Sequence, residues 1–200
     1  MANIGVDCVR SNSNLDFKNL IDDPNAPDGL YKDSNHACSY YEIDEFQNNF
    51  SQEIHKFSTL SYNIRSLTGK WDEFKNFIRS VNHNRFKFSV IAVQEVWNVP
   101  LGINYELEGY KPFEFKIRNP SGRDGNAGGG VGILVDSDLE YELLEDLSIF
   151  ESHFFESIFI KVRTSQTKFT IIGNINRPNT RSQANLPNFF NKLSGILDKI

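Results

Sequence analysis

The segment that decides the fold is residues 90–97, Val-Ile-Ala-Val-Gln-Glu-Val-Trp, together with the elements that precede it. Residues 88–93 are a short apolar run, which is typical of a strand buried on both faces of a sheet. Residues 57–64 alternate loosely and contain Phe, Leu, Tyr and Ile, so they predict a second strand. A helix between the two is predicted by apolar residues spaced by three and four, namely Trp71, Phe74, Phe77, Ile78 and Val81. Strand, helix and buried strand predict a βαβ unit with parallel strands.

Beyond this unit the pattern changes to strands without intervening helices. The candidate strands are residues 110–117, 129–135, 140–144, 154–162 and 168–175. A final amphipathic helix is predicted by the apolar positions Leu186, Phe189, Phe190, Leu193, Ile196, Leu197 and Ile200. Because that stripe has no Gly or Asn stop signal, we expect the chain to end without a natural boundary. The predicted fold class is α/β (α+β).

The beginning of the chain has a different composition from the rest. Residues 1–40 are rich in Asn, Asp and Ser and show no hydrophobic period, so they are predicted to be a disordered polar leader. Residues 41–55 are predicted to be a linker with a short helix over 41–50, and residues 56–200 to be the folded domain. Both cysteines, Cys8 and Cys38, fall in the leader, which favours a reduced compartment, nucleus or cytoplasm. Neither a signal peptide nor a membrane-length apolar run is found, so we expect no secretion and no membrane partner.

Charge is distributed unevenly along the chain. The net charge is -5, and residues 1–60 hold the whole negative excess, with ten acidic and four basic side chains. Residues 161–181 contain five basic side chains and no acid. Such a stretch can neutralise phosphates of a nucleic acid, or it can be an ordinary solvated strand face.

Two polar residues lie at the carboxyl ends of the predicted parallel strands, at the edge where α/β sheets place their sites. They are Asn63 and Glu95. A carboxylate such as Glu95 is the ligand that a hard cation such as Mg²⁺ prefers, and an amide such as Asn63 can donate to a phosphate oxygen. The alternative is that Glu95 is simply a solvated loop residue.

Six short segments, taken in order, resemble the signatures of one enzyme family. They are residues 62–67 (Tyr-Asn-Ile-Arg-Ser-Leu), 90–97, 109–110 (Gly-Tyr), 128–135 (Gly-Gly-Gly-Val-Gly-Ile-Leu-Val), 156–158 (Glu-Ser-Ile) and 171–178 (Ile-Ile-Gly-Asn-Ile-Asn-Arg-Pro). The family is the LINE-type (non-LTR retrotransposon) endonucleases, in the endonuclease/exonuclease/phosphatase superfamily that includes the apurinic-site repair nucleases. The resemblance covers roughly residues 40 to 200.

This resemblance implies a fold, a reaction and partners. The fold would be a two-sheet β-sandwich flanked by helices, incomplete at the C-terminus, with an unpaired sheet edge and marginal stability. The reaction would be metal-dependent nicking of one strand of target DNA, which primes reverse transcription, and a reverse transcriptase domain would follow in the full element. Glu95 would hold Mg²⁺ or Mn²⁺, and Asn63 would contact the scissile phosphate. Further phosphate or DNA contacts would come from Arg65, Asn176 and Arg177. Arg123, beside a polar loop that contains glycine, can contact a DNA backbone, or it can be an ordinary solvated loop charge.

Two departures from the family pattern limit the expected activity. Residues 176–179 are Asn-Arg-Pro-Asn, where the family usually has Tyr-Arg-Pro-Pro. The family's later Asp-x-Asn and Asp-His motifs are not found, and none of the four histidines follows an Asp. We therefore expect little or no nicking by these 200 residues. The alternative function is a non-catalytic retrotransposon remnant or interaction module with weak DNA binding. A phosphoinositide phosphodiesterase is disfavoured by the first and fourth segments.

Overall fold

The computed structural model describes residues 4–6, 39–41, 57–82, 86–97, 99–100, 103–117, 128–151, 154–177 and 186–200. The chain divides into two compact units, Met1–Asn49 and Phe50–Ile200. In the first unit, β1 (Ile4–Val6) pairs antiparallel with β2 (Ser39–Tyr41). The rest of the predicted leader and linker, with almost all of the helix expected over 41–50, lies outside the described residues, so the leader stays a prediction.

In the second unit, the first sheet is built around the predicted βαβ motif. Its strand order is β3–β4–β6–β5, and its strands are β3 (Thr59–Asn63), β4 (Val90–Gln94), β5 (Glu114–Lys116) and β6 (Val131–Val135). The pairing of β3 with β4 is parallel, which confirms the prediction, and the other pairings are antiparallel. All five residues of β6 are buried, because this strand lies in the interior of the sheet.

Helix α1 (Leu67–Val81) connects β3 to β4 and covers one face of the first sheet. Its buried side chains are Leu67, Phe74, Ile78 and Val81, so the predicted apolar face is confirmed. The ring of Tyr62 from β3 lies 5.3 Å from Phe74 and 5.4 Å from Phe77, which ties the helix to the sheet. The helix begins after Ser66, whose Oγ accepts a hydrogen bond from the Gly69 N–H at 3.2 Å.

The capping of α1 gives a first test of local stability. Ser66 adopts a left-handed backbone conformation with φ 92°. Replacing Ser66 with alanine removes the cap and keeps the unfavourable φ, so unfolding in urea should show a loss of about 1 kcal/mol. Ser66→Gly is the matched variant, because glycine loses the same hydroxyl but adopts positive φ without strain. The glycine variant should therefore be the more stable of the two, and the opposite order would contradict this account.

The second sheet has the order β10–β9–β7, with a short strand, β8, also pairing with β9. Its strands are β7 (Tyr141–Leu143), β8 (Phe150–Glu151), β9 (Phe155–Arg163) and β10 (Phe169–Asn176), all paired antiparallel. A 3-10 helix, Glu145–Leu147, lies between β7 and β8. Strand β8 has two residues, too few for an alternating pattern, and it is absent from the sequence prediction.

The two sheets pack face to face through alternating side chains of β9. On one side Ile158, Ile160 and Val162 form a fully buried core with Val90, Val131, Ile133 and Val135 of the first sheet. On the other side Phe155 and Phe159 pack with Leu147, Phe189 and Ile196. The last two belong to helix α2 (Leu186–Leu197), which therefore covers the outer face of the second sheet. The described part of the second unit is thus a mixed α/β structure with two sheets in contact and a helix on the outer side of each.

In the second unit, the end strands are β3 and β5 of the first sheet and β10 and β7 of the second. Within the described part of the chain, β3 pairs only with β4, and β10 pairs only with β9. Phe169, at the start of β10, is 48% exposed. None of the described helices is long and apolar enough to cross a membrane.

Candidate functional site

Three loops meet beyond the carboxyl ends of β3 and β4. Glu95 follows β4 directly and turns the chain with a left-handed φ of 57°. Its carbonyl accepts from the Ser66 N–H at 2.8 Å, which binds the loop after β3 to the loop after β4. The Trp97 N–H donates to the Gly129 carbonyl at 2.8 Å, which adds the loop before β6. These two hydrogen bonds fix the backbone around Glu95 from both neighbouring loops, and so fix the place where its side chain begins.

The Glu95 carboxylate is held by three N–H donors. Its Oε2 accepts from Trp97 Nε1 at 2.8 Å and from the Gly129 N–H at 3.1 Å. Its Oε1 accepts from Asn176 Nδ2 at 3.3 Å. Hydrogen bonds to an ionised acceptor are stronger than neutral ones, so these donors limit the directions in which the carboxylate can point.

A second carboxyl lies behind the first. Glu156, at the start of β9, is only 1% exposed. Its Oε2 accepts from the Gly130 N–H at 2.7 Å and from Asn176 Nδ2 at 2.7 Å. Burial raises the pKa of Glu156 above its ordinary value; the bonds from Asn176 and Gly130 oppose this rise, and the nearby Glu95 carboxylate adds to it. Asn176 therefore donates to two carboxyl groups, that of the partly exposed Glu95 and that of the buried Glu156.

Glycines 129 and 130 make this close approach possible. Both have left-handed backbones, with φ 93° and 86°. A Cβ on Gly129 would lie 2.3 Å from Glu156 Oε1, and a Cβ on Gly130 would lie 2.7 Å from Val96 Cγ2. Residues 128–130 thus form a loop that enters β6 with close backbone approach, and at Gly129 the approaching group is the Glu156 carboxyl.

Asn174 links the two sheets beneath the site. Its side chain is 2% exposed. Its Nδ2 donates to the carbonyls of Val93 and Gly132, each at 2.9 Å. Its Oδ1 accepts from Gln94 Nε2 at 2.7 Å. One amide from β10 thus binds both β4 and β6 of the opposite sheet. These bonds fix the position of Asn176, two residues further along β10, relative to Glu95.

The structure brings together some of the residues predicted for the site. Glu95 and Asn176 are in direct contact. Asn63 ends β3 in register with Gln94, and it is exposed. Paired positions of neighbouring strands face the same side, so Asn63 shares the face on which Gln94 meets Asn174. Asn63 therefore lies at the end of β3, next to the strand that Glu95 follows, as the βαβ unit predicts.

The predicted basic contacts are less closely tied to the site. Arg65 and Arg177 are exposed, in the loop after β3 and directly after β10, and among the described residues neither guanidinium has a hydrogen bond or ion pair. Arg123 lies outside the described residues. Both exposed arginines follow strands that end at the site, β3 and β10.

Two other basic residues of 161–181, Lys161 and Arg163, are directed elsewhere. Lys161 Nζ and Arg163 Cζ lie 4.7 and 4.8 Å from the ring centroid of Phe169, and Arg163 Nε pairs with Glu140 Oε2 at 2.9 Å. Arg163 is at the opposite end of β9 from Glu156, roughly 20 Å away along the strand. This end of the stretch is a strand face with its own partners and is not part of the carboxylate site.

Sequence reasoning missed three features of the site. The roles of Glu156 and of the Gly129–Gly130 backbone depend on the register between two sheets, which no local pattern reports. The third feature is Trp97, which is half-buried and donates its indole N–H to Glu95. One signal was available, because Glu156 is a charged residue within an otherwise uncharged buried run, residues 154–160.

The chemistry of these side chains fits one kind of metal better than others. Among the described residues no group of three or more His, Cys, Asp or Glu side chains lies together, so they do not fit a zinc site or a calcium cage. Mg²⁺ is usually held by one or two protein carboxylates, with water and phosphate as the other ligands. Glu95 fits this role because it is partly exposed. The buried Glu156, whose pKa is raised, does not.

No protein-family model and no curated protein sequence matches this chain.

Proposed function

We propose that this chain carries the metal-binding part of a DNA-nicking active site of the LINE-type endonuclease family, with the endonuclease/exonuclease/phosphatase fold. One observation carries the proposal: the Glu95 carboxylate is held at the carboxyl end of the parallel β3–β4 pair by Trp97, Gly129 and Asn176. A carboxylate preorganised by donors and partly open to solvent is suited to bind a hard cation that also contacts a phosphate. The two-sheet arrangement with outer helices supports the same family.

Each residue has a defined task in this proposal. A bound Mg²⁺ would supply charge stabilisation on the phosphate and the leaving oxygen. Glu95 would hold that cation. Asn63, exposed at the neighbouring strand end, would donate its amide N–H to a phosphate oxygen, and Arg65 and Arg177 would bind the flanking backbone. Hydrolysis at neutral pH also needs a general base, and the family motif that supplies it is not present in this sequence. We therefore propose metal and phosphate binding, with weak or no hydrolysis by these residues alone.

The test measures Mn²⁺ binding by the electron paramagnetic resonance signal of the free ion. The wild-type chain should bind Mn²⁺, and Glu95→Gln should weaken binding by about 10-fold or more, because a charged ligand is lost. Glu142→Gln is the matched control, since Glu142 is exposed on β7 and its loss changes the net charge equally. Equal Mn²⁺ affinity in wild type and Glu95→Gln would contradict the proposal.

Nicking of supercoiled plasmid in Mg²⁺ gives an independent measurement. We expect little relaxation above background, and nicking that Glu95→Ala abolishes would show that a base is supplied by a residue not considered above. Salt-sensitive DNA binding that is the same with and without metal would favour the non-catalytic alternative.

A further inference from the structure

A buried carboxyl that does not reach solvent requires its own explanation. Placing a carboxyl in a protein interior is unfavourable unless hydrogen bonds compensate it, and Glu156 is 1% exposed. Its two partners are the Gly130 N–H and the Asn176 side chain. Both partners also belong to the surroundings of Glu95, since Asn176 binds Glu95 directly and Gly130 adjoins Gly129. The hydrogen bonds of Glu156 therefore end on groups that set the position of the first carboxylate.

We propose that Glu156 is a positioning residue, which fixes the direction of the Glu95 carboxylate through Asn176 and the Gly129–Gly130 backbone. The proposal rests on the proposed function only for the consequence of that direction, which is metal affinity. The role of Glu156 in orienting Glu95 stands on the contacts themselves.

The first link is the Asn176 amide. Its Nδ2 lies 2.7 Å from Glu156 Oε2 and 3.3 Å from Glu95 Oε1. An amide nitrogen has two N–H groups and can serve two acceptors at once, whereas a hydroxyl has one proton to donate. Glu156 holds the shorter of the two bonds, so it sets the rotation of the amide, and the second N–H is thereby aimed at Glu95.

The second link is the backbone of the two glycines. Consecutive N–H groups serve the two carboxyls, with Gly129 donating to Glu95 at 3.1 Å and Gly130 donating to Glu156 at 2.7 Å. Because the two peptide groups are joined, removing the acceptor for the Gly130 N–H allows the Gly129 N–H to change direction, while the Gly129 carbonyl keeps its bond from the Trp97 N–H. Loss of the Glu156 oxygens should therefore weaken two of the three hydrogen bonds to Glu95 and leave the bond from the Trp97 indole as the third.

The chain contains a reporter for this effect. It has two tryptophans, Trp71 and Trp97, and the Trp97 indole N–H donates to Glu95 Oε2. Trp71 is part of helix α1 and packs against Tyr105 and Phe113 rather than against Glu95. In a ¹⁵N correlation spectrum of the full chain, the Trp97 indole resonance reports the Glu95 carboxylate and the Trp71 resonance reports the fold. The loss of one signal in Trp97→Phe assigns the two.

The experiment compares Glu156→Met, Glu156→Gln and Asn176→Ala. Methionine keeps the length of the side chain without carboxyl oxygens, so the Trp97 resonance should shift and Mn²⁺ affinity should fall about 10-fold or more, with the Trp71 resonance unchanged. Glutamine keeps one acceptor oxygen and should restore both readouts. Asn176→Ala should behave like Glu156→Met, and it decides the matter if the methionine variant does not fold. Glu142→Met, at an exposed position, is the control.

The outcomes separate this proposal from the proposed function. A folded Glu156→Met or Asn176→Ala variant with an unshifted Trp97 resonance and wild-type Mn²⁺ affinity would overturn the positioning role. If wild type binds no Mn²⁺ through Glu95, the proposed function fails, and the indole resonance alone still decides whether Glu156 orients Glu95.

Discussion

Gly129→Ala should destabilise the domain by about 2–5 kcal/mol, measured as a lower urea midpoint with an unchanged slope. Two costs add up. A non-glycine residue in the left-handed region costs about 1–2 kcal/mol, and Gly129 has φ 93°. The new Cβ would also lie 2.3 Å from Glu156 Oε1, and this carboxyl is buried and cannot rotate into solvent. The contact must therefore be relieved by moving backbone, which breaks the bonds to both carboxyls.

Two further variants make the Gly129 result specific. Gly195, in α2, has no atom within 4 Å of the position of a new Cβ, so Gly195→Ala should stabilise the protein by about 1 kcal/mol. Combining Gly129→Ala with Glu156→Ala should destabilise the protein by less than the sum of the single changes. The reason is that Glu156→Ala removes the carboxyl oxygen with which the new Cβ at position 129 collides. Full additivity would show that the collision with Glu156 is not the source of the loss.

Asn174→Leu should have a comparable effect, about 3–5 kcal/mol. Leucine is similar in size, but it leaves the carbonyls of Val93 and Gly132 without the buried amide donor that they now have, whereas Gln94 Nε2 keeps its bond to Ser61 Oγ. A buried polar group that loses its partner costs about 1–3 kcal/mol, and two carbonyls are affected here. The measurement is again the free energy of unfolding in urea.

The control for Asn174 is Asn191, an exposed residue of α2. Asn191→Leu makes the same chemical change at the surface and should stay within about 0.5 kcal/mol of wild type. If Asn174→Leu were equally mild, the amide link between the sheets would not be important for stability.

The secondary structure could be predicted because its causes are local. The apolar faces of β4 and α1 are visible in the order of their residues, and parallel pairing of β3 with β4 follows from a helix that joins them. Asn63 and Glu95 lie at the carboxyl ends of these two parallel strands, so their position at one edge of the sheet could be predicted as well. The left-handed backbones of Glu95 and Trp97 could not be foreseen, since neither residue type favours that region and only the surrounding contacts impose it.

The rest of the site could not be predicted because it depends on how one sheet lies over the other. Asn176 meets Glu95 across 81 positions of the chain, and Gly130 meets Glu156 across 26. Hydrophobic alternation shows that even-numbered residues of β9 face inward, but it does not show which residue of the opposite sheet each one meets. Family resemblance pointed to Asn176, and it gave no role to Glu156.

The hydrogen bond between Gln94 and Asn174 has a consequence for the order of folding. The β9–β10 hairpin pairs residues that are close in the chain, so it can form early, with little loss of chain entropy. Bringing Asn174 to Gln94 closes a loop of 80 residues, and the chain must lose the conformational entropy of that loop before the hydrogen bond forms. Docking of the sheets is therefore the slow event, and substitutions at Asn174 should mainly accelerate unfolding, while those within the hairpin should slow folding.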